Sequence, residues 1–293
     1  MTIIESHGLG KRYGRQWALQ DCTLAIPAGR VSALVGPNGA GKTTLLNLVV
    51  GLTAPTRGSL AVLGGQPAGS LAALDGIAFV AQNMPLYKGL SAGDLVHLTR
   101  NLNHRFDTTY AHARLRELGI PLTQRAGRLS GGQHAQLALT LALARRPQLL
   151  VLDEPLANLD PVARHDFMGS VMAAVADDGV SVVFSSHVLT ELERVADYLL
   201  LIARGHVQAV GAVDDLLAGH RLLTGPAPEA PRYVRELDVV HAQYSGAQAR
   251  LLVRIHRSGV SVPASWETQA VGLEELALAY LRASDSERME VVP

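Results

Sequence analysis

Short apolar runs alternate with glycine-bounded turns and amphipathic stretches along this chain, the pattern of strands and helices taken in turn. Arg30–Val35 is a β-branched-rich run that reads as a buried strand, and Leu45–Val50 behind it opens a helix over about 43–51, closed by Gly51. Ahead of them Met1–Ser6 is strand-like, Gly8, Gly10 and Gly14 punctuate, and Trp17–Ile26 continues in strands. Ser59–Leu63 and Ile77–Val80 are further strands, with a turn at 55–58. From Asn83 to about Leu143 the period becomes helical. Ser91 caps a helix with Leu95, Leu98 and Leu102 on one face, a second helix spans 108–119, and an apolar helix covers 137–144. Gln148–Leu152, Val180–Ser185, Tyr198–Ala203 and His206–Val210 read as strands, with a helix over about 161–177 between the first two. Strands alternating with helices predict an α/β fold with a sheet between helical layers.

The last third differs. Gly225–Pro231 holds three prolines and a glycine and reads as a linker. Val234–Tyr244 and Ala249–His256 read as strands, and 272–283 as an amphipathic helix with Leu273, Leu276 and Tyr280 on one stripe. From Ser284 the tail is polar and reads as frayed.

Composition narrows the class. The 293 residues carry 26 Lys plus Arg against 26 Asp plus Glu, so no global field draws the chain to nucleic acid or anionic lipid. A single cysteine, Cys22, excludes an internal disulfide and fits a reducing compartment. No signal-peptide core and no run of ~20 apolar residues stands in the sequence. The expectation is a soluble, cytoplasmic protein that meets a membrane only through a partner.

Four stretches carry chemistry. Gly36-Pro37-Asn38-Gly39-Ala40-Gly41-Lys42-Thr43-Thr44 lies between a strand and a helix, where glycine turns and a helix N-terminus point N–H groups at a polyphosphate. Lys42 would reach the β- and γ-phosphates and the Thr43 hydroxyl would ligate Mg²⁺. Only Lys11, Lys42 and Lys88 are lysines, so in this arginine-biased chain a compact ammonium stands at the phosphate position. Gln82 ends a strand, where it would meet Mg²⁺ or the attacking water. Asp153-Glu154 ends another: Asp153 would hold the Mg²⁺ shell and Glu154 would polarise the water. Ser130 caps a helix behind Gly131, Gly132 and Gln133, a second anion-binding helix start. One chain with two phosphate-type sites either binds two ligands or shares one between two copies. Tyr13, on a turn, offers a ring for adenine stacking, and His187 follows a strand where its imidazole could hydrogen-bond a γ-phosphate.

In order and spacing Tyr13, Gly36–Thr43, Gln82, Leu129–Gln133, Asp153-Glu154, Asn158–Asp160 and His187 resemble the nucleotide-binding subunit of ATP-binding cassette (ABC) transporters, over roughly residues 1–215. The resemblance implies a P-loop ATPase core with a mixed sheet and flanking helices, an antiparallel β subdomain and a helical subdomain over about 83–143. Residues 216–293 then form a small α+β extension that joins the dimer or regulates it. It implies two cassettes packed head to tail, each ATP and its Mg²⁺ lying between one copy's P-loop and the other's Ser130-Gly131-Gly132. By the same pattern Tyr13 stacks on adenine, Gln82 senses Mg²⁺ and the transport partner, Glu154 acts on water, Asp160 works across the dimer and His187 contacts the γ-phosphate. The family usually has basic residues after Gln133, and His134-Ala135-Gln136 depart from that. Residues 84–90 resemble the groove segment of exporter-type cassettes, with Met84, Leu86, Tyr87 and Leu90 set to meet a membrane subunit. The expected function is therefore an ATPase powering an exporter from the inner face of the cell membrane. A soluble cassette ATPase of translation, DNA repair or cofactor assembly is the other reading.

Overall fold

The computed structural model describes residues 1–186, 195–255 and 265–286. The predicted His187 lies outside them. Two long strands, β1 (Thr2–Tyr13) and β2 (Gln16–Pro27), form an antiparallel hairpin, followed by β3 (Val31–Val35) and α1 (Lys42–Val49). Then come β4 (Arg57–Val62), β5 (Gln66–Pro67), α2 (Leu71–Gly76) and β6 (Ile77–Val80). Three helices follow: α3 (Ala92–Leu102), α4 (Thr108–Glu117) and α5 (Gly131–Leu143). The core closes with β7 (Leu149–Leu152), α6 (Pro161–Asp178), β8 (Ser181–Ser186), β9 (Tyr198–Ala203) and β10 (His206–Ala212). Beyond it lie α7 (Val213–Ala218), β11 (His220–Pro226), α8 (Ala230–Glu236), β12 (Val239–Ser245), β13 (Gln248–Arg254), β14 (Glu267–Gln269) and α9 (Leu273–Ser286).

The central sheet runs β10-β9-β3-β8-β7-β6, parallel throughout except for β10. Its inner strands β3, β7 and β8 are buried along their whole length, as parallel strands covered on both faces must be. The pleat divides them. Val31, Ala33 and Val35 face a core completed by α5, Phe167 and Val171 of α6, and α9. Leu34, Val151 and Val183 face the opposite core, filled by α1 and the antiparallel sheet β2-β1-β4-β5. Beside these layers α3, α4 and α5 share a smaller core around Leu95, Leu115, Leu137 and Leu141. The architecture is the expected mixed-sheet P-loop core with an antiparallel β subdomain and a helical subdomain. No helix among the described residues is long and apolar enough to cross a membrane.

Several local expectations need correction. β1 does not stop at Ser6 but continues through Gly8 and Gly10, with register shifts between Ser6 and Lys11; its glycines mark bulges in a strand, not turns. On α3 the buried stripe is Ala92, Leu95 and Val96, while Leu102 is 74% exposed, since it sits on the helix's last turn. The segment 225–231 is no linker: β11 runs through Pro226, and α8 opens at Ala230 with Pro231 in its first turn and takes in Val234. A side chain at Gly225 would stand 2.2 Å from the Trp266 ring, so that glycine serves packing, not flexibility. The terminal helix continues past Ser284, which is buried with its hydroxyl donating to the Leu281 carbonyl at 2.7 Å.

The C-terminal sheet β12-β13-β11-β14 packs α8 on one face through Leu223, Tyr233, Leu251 and Trp266. Through Leu252 on the other face, and through Leu273, Leu276 and Tyr280 of α9, it joins the same core as Leu199 and Leu201 of the central sheet. His220 pins this junction: its Nδ1–H donates to the Leu216 carbonyl at 2.6 Å and its Nε2 accepts from the Tyr280 hydroxyl at 2.9 Å. Both nitrogens are used by the neutral ring, and burial holds its pKa below the ordinary value of 6.5. The unfolded chain therefore binds this proton first. The stabilisation is complete above the unfolded pKa and is lost as pH falls below it. We expect the melting temperature to fall between about pH 7.5 and pH 5.5, and His220→Gln to reduce that fall by roughly 2 °C. Equal pH slopes in thermal unfolding of the two proteins would exclude His220 as a source.

Candidate nucleotide site

Parallel strands all deliver their carboxyl ends to one edge of a sheet, where α/β proteins bind ligands. Here β3 delivers Gly36, β6 delivers Gln82, β7 delivers Asp153 and Glu154, and β8 delivers Ser185. The loop after β3 is held tight. A side chain at Gly36 would stand 2.1 Å from the Ile202 carbonyl oxygen, so only glycine permits the approach of β9. Gly41 takes a left-handed conformation (φ 107°) as the N-cap of α1 and supplies no side-chain cap, which leaves the first N–H groups of α1 to serve a ligand.

Lys42 is 5% exposed, and its Nζ donates to the carbonyls of Gly36 at 2.8 Å and Pro37 at 3.3 Å. The same Nζ lies 3.4 Å from Glu154 Oε1. Gln82 Nε2 donates to the other Glu154 oxygen at 3.1 Å. Lys42, Gln82 and Glu154, read from three separate stretches of the sequence, therefore meet, and Asp153 precedes Glu154 at the end of the same strand. Thr43 and Asn38 lie exposed at the same loop and Thr44 half-buried beside them.

Ser185 is the residue that sequence reasoning missed. Its hydroxyl donates to Asp153 Oδ1 at 2.7 Å and accepts the Glu154 N–H at 2.8 Å. Glu154 has φ 44°, a strained conformation for a residue with a side chain, and such strain persists only where surroundings enforce it. The Ser185 hydroxyl and the Asp153 N–H···O bond to Val80 (2.9 Å) enforce it here. In Ser185→Ala the buried Asp153 loses its hydroxyl donor and Glu154 its backbone anchor. Because leaving buried groups unpaired costs ~1–3 kcal/mol, we expect ATP turnover to fall about tenfold, read by phosphate release. Unchanged turnover would show the hydroxyl to be dispensable.

Asp153 is 3% exposed and makes no ion pair among the described residues. A buried carboxylate without a cation is costly, and a hard divalent ion with oxygen ligands is the group that would satisfy it. No cluster of three or more His, Cys, Asp or Glu gathers among the described residues. Such an ion would thus rely on few protein ligands and on phosphate, the coordination Mg²⁺ adopts.

The second phosphate-type element does not join this group. Ser130 caps α5 with its hydroxyl accepting the Gln133 N–H, while Gln133 Oε1 accepts the Ser130 N–H, both at 3.2 Å. No hydrogen bond links Ser130 or Gln133 to Lys42, Gln82 or Glu154. Ser130–Gln133 and Asn158–Asp160 line a cavity of about 610 Å³, and Gly131 and Asn158 also line a smaller one of about 330 Å³ with Gln82. Asp160 accepts the N–H groups of Val162 and Ala163 at 3.0 Å as the cap of α6. Tyr13 stands 52% exposed near the tip of the β1–β2 hairpin, with Lys11 Nζ 5.2 Å from its ring.

The departure after Gln133 is accommodated within the helical layer. Gln136 is buried and its Oε1 accepts from the Ser170 hydroxyl at 3.2 Å, while Arg114 of α4 donates to that hydroxyl. His134 has its pKa lowered, first by burial and then by Lys88. Of the groove segment, Met84 and Leu86 line an apolar groove of about 490 Å³ between the central sheet and the helical layer. Tyr87 is 68% exposed, and Leu90 turns inward against the helical core.

Comparisons with known proteins agree with this geometry. Residues 19–157 match the family model described as ABC transporter. The chain is 30% identical over 215 residues to the lantibiotic transport ATP-binding protein SrtF of Streptococcus pyogenes, covering 70% of this chain and 89% of that one. It is 34% identical over 219 residues to the Nod factor export ATP-binding protein I of Rhizobium johnstonii, covering 72% and 69%. The dimeric structure of a bacterial ABC transporter cassette superposes with a TM-score of 0.64 at 25% identity, covering 72% of this chain and 99% of that one. With Lys42, Gln82, Asp153 and Glu154 gathered at the carboxyl edge of a P-loop sheet and a relative matched over nearly its whole length, this chain belongs to the ATP-binding subunits of ABC transporters, ATPases that couple hydrolysis to transport.

Proposed function

We propose that the chain powers an exporter, working as a homodimer on the inner face of the cell membrane beneath a separate membrane subunit. The observation that carries the dimer is the division of the phosphate-binding elements. Lys42 and Glu154 stand 3.4 Å apart, whereas Ser130, exposed like Gly131, exchanges its hydrogen bonds with Gln133 of its own helix start. Two copies packed head to tail would unite each P-loop with the other's Ser130-Gly131-Gly132 around one ATP, with Asp160 reaching across. The export direction is supported by the likeness to the Nod factor export protein, and among the described residues beyond 215, Leu252 and α9 pack into the core of the central sheet.

Tyr13 would stack on adenine, and the N–H groups from Gly36 to Thr44 would cradle the phosphates. Mg²⁺ would be held by the Thr43 hydroxyl, Gln82 and Asp153, and there it neutralises charge on the β- and γ-phosphates. Lys42 is shared in the present geometry between loop carbonyls and Glu154. Phosphate oxygens would draw its ammonium away from Glu154, leaving that carboxylate to orient and polarise the attacking water. His187 would contact the γ-phosphate. The membrane subunit would dock near Met84, Leu86, Tyr87 and Leu90, of which Tyr87 offers an exposed ring.

The test is affinity purification of Glu154→Gln with ATP from gently solubilised membranes of its own host. We expect a polytopic membrane protein in stoichiometric amount, and ATP-dependent accumulation of its cargo in inside-out vesicles that contain this protein and the wild-type chain. Recovery of ribosomes, nucleic acid or nothing would move the soluble-ATPase reading to first place.

A further inference from the structure

None of the nucleotide-site residues lines the cleft of about 400 Å³ that opens in the C-terminal extension between strands β12, β13 and β11 and helix α9. Two periodicities build its walls. Alternate residues of a strand share a face, and the register sets His241 opposite Leu252 and Gln243 opposite Arg250, with Leu222 of β11 flanking Leu252. On α9 the spacing of Glu275, Leu278, Ala279 and Arg282 puts them on one side of the helix, along the cleft. Leu276 and Tyr280 of that helix are buried in the core shared with the central sheet instead. Leu222, Leu252 and Ala279 give the cleft a buried apolar lining, and Leu278 stays 37% exposed beside it. The polar groups over this lining keep bonding capacity that the chain leaves unused. Arg250 Nη2 donates to Glu275 at 2.8 Å, and the guanidinium makes no other hydrogen bond among the described residues. The Gln243 amide and the His241 ring make none among them. Burial first, and then the charge of Arg282, hold the His241 pKa below 6.5. The ring is therefore neutral at neutral pH, and Arg282 makes the field on it positive.

We propose that this cleft binds a small amphiphile, an apolar body that bears one carboxylate. The body lies on Leu222, Leu252 and Leu278, and the carboxylate accepts the unused N–H groups of Arg250, with the Gln243 amide as a second donor. An apolar lining with a few convergent polar groups is the general form of a small-molecule site, and the volume suits a compact ligand. The head group follows from the donors. A guanidinium is a rigid fork matched to a carboxylate, and Glu275 engages only one of its nitrogens, so the ligand adds to that ion pair without breaking it. A cationic head would face both Arg250 and Arg282, and a neutral one would leave the charge of the fork unmatched.

The experiment is calorimetric titration of the full chain with decanoate, and with decanol and decylamine as the same body under a neutral and a cationic head. We expect decanoate to bind the wild type at one site, about tenfold or more tighter than either comparator, since the bonds to the guanidinium are charge-assisted. Arg250→Met removes the fork. Gln243→Glu fixes a carboxylate opposite Arg250 in the register and fills the ligand's place from within. Each variant is expected to weaken decanoate binding about tenfold or more, with basal ATPase activity within about twofold of wild type because neither residue belongs to the nucleotide site. Gln243→Glu changes an exposed side chain and adds an attraction to Arg250, so a wild-type melting temperature separates its loss of binding from unfolding. Absence of decanoate binding by the wild type would overturn the site. Equal or tighter binding of decanol or decylamine would overturn the carboxylate as its head group. Wild-type affinity for decanoate in either variant would overturn the placement at Arg250 and Gln243.

Discussion

In Glu154→Gln, steady-state ATP turnover falls by about 10²–10⁴-fold, the contribution of a positioned general base, while ATP binding is kept or strengthened. The amide preserves the side chain's shape and its reach to Gln82, 3.1 Å away in the native chain. It removes the charge that polarises water, and with it the ion pair at 3.4 Å that competes for Lys42. Phosphates then hold Lys42 unopposed, and the nucleotide-bound dimer outlives its normal cycle. Phosphate release reports the first effect, and size-exclusion chromatography with ATP reports the accumulated dimer. Turnover at the wild-type rate would remove Glu154 from the chemistry.

Ser130→Arg should abolish turnover to a comparable extent, on the order of 10²-fold or more given what a lost oxyanion-type donor costs, yet leave the ATP affinity of the isolated subunit unchanged. Ser130 is exposed and makes no bond to the P-loop group of its own chain, so a bulky cation there disturbs only what another copy brings. The lost cap costs about 1 kcal/mol, tolerable in a helix buried along most of its length. Ser130→Ala loses the same cap without the bulk and is expected to retain much more activity. Nucleotide binding by fluorescence titration and hydrolysis by phosphate release separate the two effects. Full turnover in Ser130→Arg would mean that the two phosphate-type sites never meet.

Much of the site was legible because its signals are local. A glycine-punctuated loop between strand and helix, an acidic pair ending an apolar run, and a serine–glycine–glycine helix start depend on covalent neighbours. The structure places Lys42, Gln82, Asp153 and Glu154 together accordingly. Ser185 carried no such signal. It is one of three serines on β8, and its meaning arises from register alone, since the pairing of Leu152 with Phe184 sets Asp153 beside Ser185. Composition misled at 225–231, where glycine and prolines suggested a linker. The glycine makes room for Trp266, and a proline occupies the first turn of α8. The β1 glycines misled for a related reason: a bulge and a turn use the same residue.

From its sequence by itself this chain determined the phosphate loop, the helix caps at Ser91, Ser130 and Asp160, and the alternation of strands and helices, because each arises from contacts within a few residues. Only the tertiary structure decided which strand ends meet, that Ser185 steadies a strained Glu154, and that α9 shares the core of the central sheet. Those outcomes depend on sheet register and on which surfaces exclude water together, and residues far apart in the chain settle both.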